Sequence, residues 1–381
     1  MLVHDRAGAY ASSRRERRTP RRLATSDRED TMAVMTPRER VWATLFGEPV
    51  DRPAVSFWGH FYHRESSAAD LVDATLEHQR EFEWDWVKLN PRKHYHVEDW
   101  GVRYRYSGRA GEKPVLASWP IHQPEDWLTI TPRAPDRGAL GEQLDAVRML
   151  RERLPESVPM IETVFTPLAI LTEMVDEPGA LKLHMRTHPH AVRGALEAVT
   201  ATFEPFVSKI VERGADGIYL ATTDWASRNL MSADEYRTWA RPYDLRLLAA
   251  ASRAPFNVLH VCKPRNLLFE FTDYPVKAFS YDATNPTNPT LDQALARLPG
   301  AVMGGISHEE ALQQPGIEAV MAEVRRGFEQ TGGRRWLVAP GCSIPPRTPA
   351  ANLKAVRAAV EALSSDAATS PSASPSRANP P

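Results

Sequence analysis

The chain is poor in cysteine and almost without net charge, and each shortage excludes a class of protein. Two cysteines in 381 residues, far apart in sequence, cannot form the disulfide framework of a small secreted domain. A formal net charge of −1 gives no basic field for nucleic acid and no acidic field for a cationic partner. No apolar run approaches the ~20 residues that cross a bilayer, so we expect no membrane partner. We therefore expect a cytoplasmic, reducing environment in which both thiols stay available to a metal.

The two ends of the chain differ in composition from the rest. Residues 1–35 hold arginine clusters among Ser, Thr and Ala without a helical apolar period, and they predict a disordered leader. An upstream start codon, with Met32 or Met35 as the natural start, would explain the same stretch. An organelle-targeting peptide or a nucleic-acid-binding arm is the alternative, although this leader also contains acids. Residues 364–381 are rich in Ser, Pro and Ala and predict a disordered tail, which leaves a folded domain at 36–363.

Between these ends, short apolar runs alternate with helical patterns. Thr36 to Glu39 has the pattern of a capping box and predicts a helix through Phe46. Helical patterns also cover 189–213, 233–252, 290–297 and 317–331. Strand–helix alternation is typical of a parallel sheet, and eight runs predict an α/β fold of the closed (β/α)8 type, the TIM barrel. The predicted strands are Ala54–Trp58, Trp84–Asn90, Val158–Thr166, Gly217–Thr222, Phe256–Cys262, Val276–Asp282, Ala301–Ser307 and Trp336–Gly341.

One segment breaks the alternation. From His94 to Gln143 the sequence is rich in Gly, Pro, Trp and Tyr and shows neither a helical nor a strand period. We interpret it as an insertion after strand 2, with room for a small hairpin.

The strongest chemical signal is a histidine and two cysteines at strand ends. His260 and Cys262 are two residues apart, so on a strand they point to the same face. Cys342 follows another apolar run. One imidazole and two thiolates are a set of Zn²⁺ ligands that leaves a fourth position open. A lone His-x-Cys is weak evidence, because buried Cys often serves only as a small apolar side chain. The strand-end positions favour a site, since barrel active sites lie at the C-terminal ends of the strands.

Other polar side chains at or near strand ends are candidates for binding substrate. They are His60, Asn90, Glu162, Tyr219, Asp224 and Asp282.

Several of these candidates have a plain structural alternative. His60 either lines the pocket as a structural residue or touches substrate. Asn90 is a candidate hydrogen-bonding group in the pocket, and because Lys88 and Asn90 are taken to alternate on strand 2, we do not expect both to point into the barrel. Glu162 is expected to point into the barrel, where a carboxylate is costly unless it is paired, so it is either salt-bridged or functional.

The remaining candidates close later strands. Tyr219 and Asp224 are expected to line the pocket. Asp282 is a candidate fourth metal ligand or a partner that orients His260, and its bland alternative is an N-cap of the following helix.

At this point the sequence resembles a known family. The opening Thr36-Pro-Arg-Glu-Arg40, the segment Pro49–Pro53 and the closing stretch Ala339–Asn352 resemble the uroporphyrinogen decarboxylase superfamily over about 36–363. His260-x-Cys262 followed by Cys342 is similar to the zinc motif of its corrinoid-dependent branch, which includes the methylcobalamin:coenzyme M methyltransferases. Cobalamin-independent methionine synthases have a similar arrangement with an acidic ligand in between, and Asp282 is the nearest acidic candidate here.

The chain departs from the decarboxylases in two places. They carry Arg-Gln-Ala-Gly-Arg-Tyr after strand 1, where this chain has Phe57–Arg64, and an Asp at the end of strand 2, where it has Asn90. An amide cannot supply the carboxylate that pairs with pyrrole N–H groups.

The resemblance therefore implies a zinc-dependent methyltransferase with His260, Cys262 and Cys342 as catalytic and metal-binding residues. It would move a methyl group between a thiol, or a methylated small molecule, and either a small donor or methylcobalamin carried on a corrinoid protein. A porphyrinogen decarboxylase of heme biosynthesis and a non-catalytic zinc-binding barrel are the alternatives.

Overall fold

The computed structural model describes residues 34–369. The predictions for 1–33 and 370–381 lie outside the described residues. The last helix runs to Thr369, so the start of the predicted tail, from Ser364, is helical rather than disordered. Within the described residues, no helix is long and apolar enough to cross a membrane.

Eight parallel strands form one sheet, and the prediction of a (β/α)8 barrel is confirmed. Each strand lies within one of the predicted apolar runs. A separate antiparallel pair forms a hairpin. The eight strands follow the order β1-β10-β9-β8-β7-β6-β5-β2, and the hairpin is β3-β4. Their bounds are β1 Ala54–Val55, β2 Val87–Leu89, β3 Arg103–Arg105, β4 Val115–Ser118, β5 Met160–Phe165, β6 Gly217–Ala221, β7 Val258–His260, β8 Ala278–Ser280, β9 Ala301–Ile306 and β10 Trp336–Pro340.

The seam between β1 and β2 is closed partly by side chains. The backbone N–H of Asp85 donates to Val55 O at 2.9 Å. The Asp85 carboxylate accepts from Val55 N at 2.8 Å, and the Ser56 hydroxyl donates to Trp86 O at 2.7 Å. These bonds satisfy backbone groups that a longer strand ladder would otherwise pair.

Helices cover the outside of the sheet. The predicted capping box is present, because Thr36 N donates to Glu39 Oε2 and Glu39 N donates to Thr36 Oγ1. The predicted helix over 233–252 is two helices, and Pro242, which has no N–H to donate, lies in the first turn of the second. The helices are α1 Pro37–Phe46, α2 Ala68–Phe82, α3 Tyr95–Glu98, α4 Gly138–Arg153, α5 Pro167–Thr172, α6 Pro178–Thr187, α7 Pro189–Glu212, α8 Ala233–Trp239, α9 Arg241–Ala250, α10 Leu291–Arg297, α11 Glu318–Thr331 and α12 Ala350–Thr369. Short 3₁₀ turns lie at Pro124–Thr129, Leu268–Phe271 and Ala311–Gln313.

The insertion after β2 contains α3 and the hairpin β3-β4. It ends earlier than predicted, because α4 begins at Gly138 rather than after Gln143. Residues alternate along the hairpin strand. Tyr104 donates from its hydroxyl to Glu173 Oε2 at 2.8 Å, while its neighbours Arg103 and Arg105 are exposed.

The barrel interior is a small apolar core closed at its N-terminal end by α1. Val41 and Leu45 of α1 pack there against inward-facing residues such as Phe256, which precedes β7, and Leu337 of β10. A second, larger apolar core fills the space between the sheet and the outer helices. Apolar packing thus fills the lower barrel and leaves the C-terminal end to polar side chains.

Candidate metal centre

The structure brings the three predicted ligands together at the C-terminal end of the barrel. His260 is the last residue of β7, Cys262 follows it, and Cys342 follows β10. The strands β8 and β9 separate β7 from β10 in the sheet. The three ligand atoms nevertheless lie within 4.8 Å of one another, and the two sulfurs are 4.0 Å apart.

This donor set fits a zinc ion. Two sulfurs that bind one tetrahedral zinc at about 2.3 Å each lie about 3.8 Å apart, close to the separation of these two free thiols. One ring nitrogen of His260, Nδ1, lies 3.1 Å from the hydroxyl of Ser280. The other, Nε2, is buried and has no hydrogen-bond partner. A metal-binding histidine has this pattern, with one nitrogen held by a neighbour and the other free for the ion.

The two thiols share one hydrogen bond. The Cys262 thiol donates to Cys342, and this bond, together with the nearby His260, holds the pKa of Cys342 well below its usual range. The same bond and burial raise the pKa of Cys262. The pair therefore gives up a first proton readily and retains the second, which a divalent cation would displace.

Tyr219 supports His260 from below. Its ring stacks on the imidazole with centroids 5.1 Å apart, and its hydroxyl lies 3.0 Å from Ser280 Oγ. Burial raises the pKa of Tyr219 well above its usual value, so it remains a neutral phenol. Tyr219 lies beside His260, and its contacts with His260 and Ser280 hold the imidazole in place.

Lys88 and Asn90 both face the interior, so the expectation that they alternate is wrong. Lys88 lies on β2 and Asn90 directly follows the strand; residues two apart share a face, the same relation that joins His260 and Cys262. Lys88 Nζ donates to Asn90 Oδ1 at 2.7 Å, and Asn90 Nδ2 donates to Gly59 O at 3.2 Å. Both ends of the Asn90 amide are therefore occupied by the protein itself.

The two aspartates lie beside the centre. Asp282 accepts from the N–H and hydroxyl of Thr284 and packs against Gly341, the residue before Cys342. Within residues 34–369, the group close enough to share a metal consists of the histidine and the two cysteines, so Asp282 is not a ligand in this arrangement. Asp224 is half exposed and forms an ion pair with Lys263 at 2.9 Å.

Glu162 and His60 do not join the centre. The expectation that Glu162 points into the barrel is wrong, because its neighbour Ile161 faces the interior and Glu162 faces the helices. Its carboxylate accepts from Gln143 of α4 at 3.0 and 3.1 Å. His60 lies in the loop after β1, where its Nδ1 is 2.8 Å from Glu65 Oε1 and its ring stacks on Tyr62. The partner of Glu162 is thus a neutral amide rather than the expected salt bridge, whereas the contacts of His60 favour its structural alternative.

His308, after β9, is a neighbour of the centre that was not among the candidate site residues. Its Nδ1 is buried without a partner, and its charge helps to lower the pKa of Cys342. Its position directly after a predicted strand was the available signal.

Comparison with known proteins identifies methyltransferase relatives and a family for this chain. The chain is 26% identical over 258 residues to the methylcobamide:CoM methyltransferase MtaA of Methanosarcina barkeri, covering 66% of this chain and 72% of that protein. It is 24% identical over 340 residues to MtbA of Methanosarcina acetivorans, also a methylcobamide:CoM methyltransferase, covering 85% of this chain and 97% of that protein. A solved methyltransferase structure from Methanosarcina mazei has the same fold, with a TM-score of 0.71, 22% identity, and coverage of 86% of this chain and 99% of that one. Residues 36–363 match the family described as Uroporphyrinogen decarboxylase (URO-D), and the chain belongs to that family.

Proposed function

We propose that this protein is a zinc-dependent methyltransferase that moves a methyl group onto the sulfur of a thiol, or in reverse from the methylated sulfur back to the carrier. The observation that carries the proposal is the meeting of one imidazole and two thiols at the mouth of a barrel, within 4.8 Å of one another. The methyltransferase relatives support the same reaction class.

Each residue of the centre has a distinct role in this proposal. His260, Cys262 and Cys342 would hold the ion, and Ser280 and Tyr219 keep the His260 ring in place. A bound zinc ion would lower the pKa of a thiol at the open position, so that the thiol loses its proton near neutral pH. The two cysteine thiolates offset both charges of a divalent cation, a donor set that favours a sulfur nucleophile over activated water.

The reaction balances as a simple displacement. The substrate sulfur forms a bond to the methyl carbon, and the bond between carbon and carrier breaks with its electron pair staying on the carrier. The thiol proton goes to solvent. The carrier is methylcobalamin on a corrinoid protein, or a small methyl donor, approaching the C-terminal face. A reducing cytoplasm would keep both cysteines free for this role.

Decarboxylation of a porphyrinogen is the second candidate, since the family takes its name from that activity. The contacts of Asn90 argue against it. Its amide bonds Lys88 at one end and Gly59 O at the other, and an amide cannot supply the carboxylate that pairs with pyrrole N–H groups.

The test begins with protein purified without chelators. We expect about one zinc per chain, methyl transfer from free methylcobalamin to coenzyme M followed by absorbance, and loss of both in Cys262→Ser. Full porphyrinogen decarboxylation after chelation would instead establish the second candidate. Stoichiometric zinc without alkylation of any thiol offered would indicate a non-catalytic zinc barrel.

A further inference from the structure

Lys88 is a charged group inside the barrel that the proposed function does not yet use. Its side chain is only 5% exposed, and its ammonium lies 4.5 Å from the ring centroid of Tyr219 and 5.3 Å from that of Trp58. Tyr219 in turn stacks on His260. This ammonium and the imidazole of a candidate metal ligand therefore contact the same aromatic ring.

The protein alone satisfies Lys88 poorly. An ammonium has three N–H donors, and the hydrogen bond found for this one is to Asn90 Oδ1. Within the described part of the chain, no carboxylate forms an ion pair with it. The charges that act on it are those of Cys342 and Glu162. Burial raises the pKa of Glu162 well above its usual value, which favours the neutral acid, so the centre itself is the main negative neighbour.

We propose that Lys88 is the counter-charge for the substrate sulfur: its buried ammonium stabilises the thiolate form of a thiol bound at the centre. This inference rests on the proposed function. Zinc with one neutral histidine and two thiolates has no net charge, and a third anionic sulfur brings the total to −1. Lys88 returns it to zero.

Burial strengthens the attraction between the Lys88 ammonium and a substrate thiolate. Two charges interact far more strongly inside a protein than across solvent, because the surroundings screen them less. Burial also lowers the pKa of Lys88 to about 7, and the negative charge of Cys342 opposes that change. A substrate thiolate bound nearby would likewise oppose the lowering of the Lys88 pKa and so favour the ammonium. By linkage, the ammonium and the thiolate stabilise each other to the same extent.

A second lysine near the centre provides a matched control. Lys263 follows Cys262 directly in sequence, but its side chain is 50% exposed and it is already paired with Asp224. Solvent and Asp224 screen its charge, so it should contribute little to holding a substrate thiolate.

The experiment measures thiol binding rather than turnover. Wild type, Lys88→Met, Lys88→Arg and Lys263→Met are loaded with Co²⁺, and 2-mercaptoethanol, an uncharged thiol, is titrated from pH 6 to 9. Binding is followed by the sulfur-to-cobalt absorption. We expect Lys88→Met to hold one metal per chain, to bind the thiol about tenfold more weakly at pH 7, and to need a pH about one unit higher for half-maximal binding. Lys88→Arg should recover most of the loss, and Lys263→Met should stay within about twofold of wild type.

Two outcomes overturn the inference in different ways. If wild type binds the thiol and Lys88→Met shows the same affinity and pH midpoint, Lys88 is not the counter-charge and the proposed function stands. If metal-loaded wild type does not bind the thiol at all, the proposed function fails and the inference fails with it. Lys88→Gln is the second neutral variant, should Lys88→Met fold poorly.

Discussion

Buried charges at the N-terminal end of the barrel are paired with each other, although Trp86 Nε1 there has no partner among residues 34–369, whereas several polar atoms at the C-terminal end are buried without one. At the N-terminal end, Asp85 accepts from Arg40 at 2.7 Å, from Arg52 at 2.6 and 3.0 Å, and from the backbone N–H of Val55 at 2.8 Å. Arg40 also holds Asp51 through two bonds of 2.7 Å. Charges buried at this end are thus paired within the protein.

At the C-terminal end, buried polar atoms lack partners. Among the described residues these include His260 Nε2, His308 Nδ1 and Thr166 Oγ1, all at or just after strand ends. An unsatisfied buried polar group costs about 1–3 kcal/mol, so folding stability alone would not retain three of them together. The comparison teaches that one end of this barrel is arranged for stability and the other for binding.

The largest expected effect separates metal binding from folding. Replacing Cys342 by Ser should reduce the zinc content to less than about a tenth of wild type, because a neutral hydroxyl replaces a thiolate ligand. The melting temperature should match that of chelated wild type within about 2 °C, since no paired charge is lost. Metal analysis and thermal circular dichroism measure the two quantities. Unfolding of this variant below the chelated wild type would mean that the C-terminal end also carries stability.

A substitution at the N-terminal end should do the converse: it should lower stability and leave metal binding unchanged. Asp85→Asn leaves Arg40 and Arg52 without their shared buried anion, and we expect a loss of about 3–5 kcal/mol in the free energy of unfolding. Urea denaturation measures the loss. Glu152→Gln, which breaks the exposed ion pair with Arg148, is the control and should cost less than about 0.5 kcal/mol. Zinc content per folded chain should not change in either variant.

A smaller effect should follow from a substitution beside the centre. A Cβ on Gly341 would lie 2.8 Å from Cβ of Asp282, so Gly341→Ala must move the loop that carries Cys342. We expect metal affinity to fall about 10- to 100-fold, with a stability loss of about 1–3 kcal/mol from overpacking. Competition with a chromophoric chelator measures the affinity. Gly194→Ala in α7, where a Cβ meets no atom within 4 Å, should leave metal affinity as in wild type.

The smallest expected effect is a pH dependence of folding stability that comes from Asp51 at the N-terminal end. Burial opposes ionisation of Asp51, but bonds from Arg40 and from backbone N–H groups outweigh it and hold its pKa below the usual 3.8. A carboxyl group whose pKa is lower in the folded than in the unfolded protein stabilises the fold at pH values above its unfolded pKa. This contribution is lost as the pH falls through the folded pKa. The free energy of unfolding of wild type should therefore exceed that of Asp51→Asn by about 1–2 kcal/mol at pH 7. This difference should shrink below about pH 4. A constant difference down to pH 2 would contradict this origin.

Local sequence was sufficient for most of the fold. Apolar runs located all eight barrel strands, and the Thr36–Glu39 pattern located the start of α1, because both depend on neighbours a few residues apart. The shared direction of Lys88 and Asn90 was also predictable from local sequence, because residues two apart on a strand face the same side. Pro242 indicated the break between α8 and α9.

The orientation of Glu162 was not available in the same way. The faces of β5 alternate, but which face is interior depends on how β5 pairs with β2 and β6. A one-residue change of register would have turned Glu162 inward. The partner that satisfies it, Gln143, belongs to a helix packed from outside.

The sequence by itself determined that His260 and Cys262 leave a strand on one side, since backbone geometry fixes the direction of residues two apart. Only the tertiary structure decided that Cys342, 80 residues after Cys262, lies with its sulfur 4.0 Å from that of Cys262 and within 4.8 Å of the His260 ligand atom, and that Asp282 stays outside the group. The reason is that closure of the barrel depends on the register and curvature of all eight strands together, which no single segment specifies.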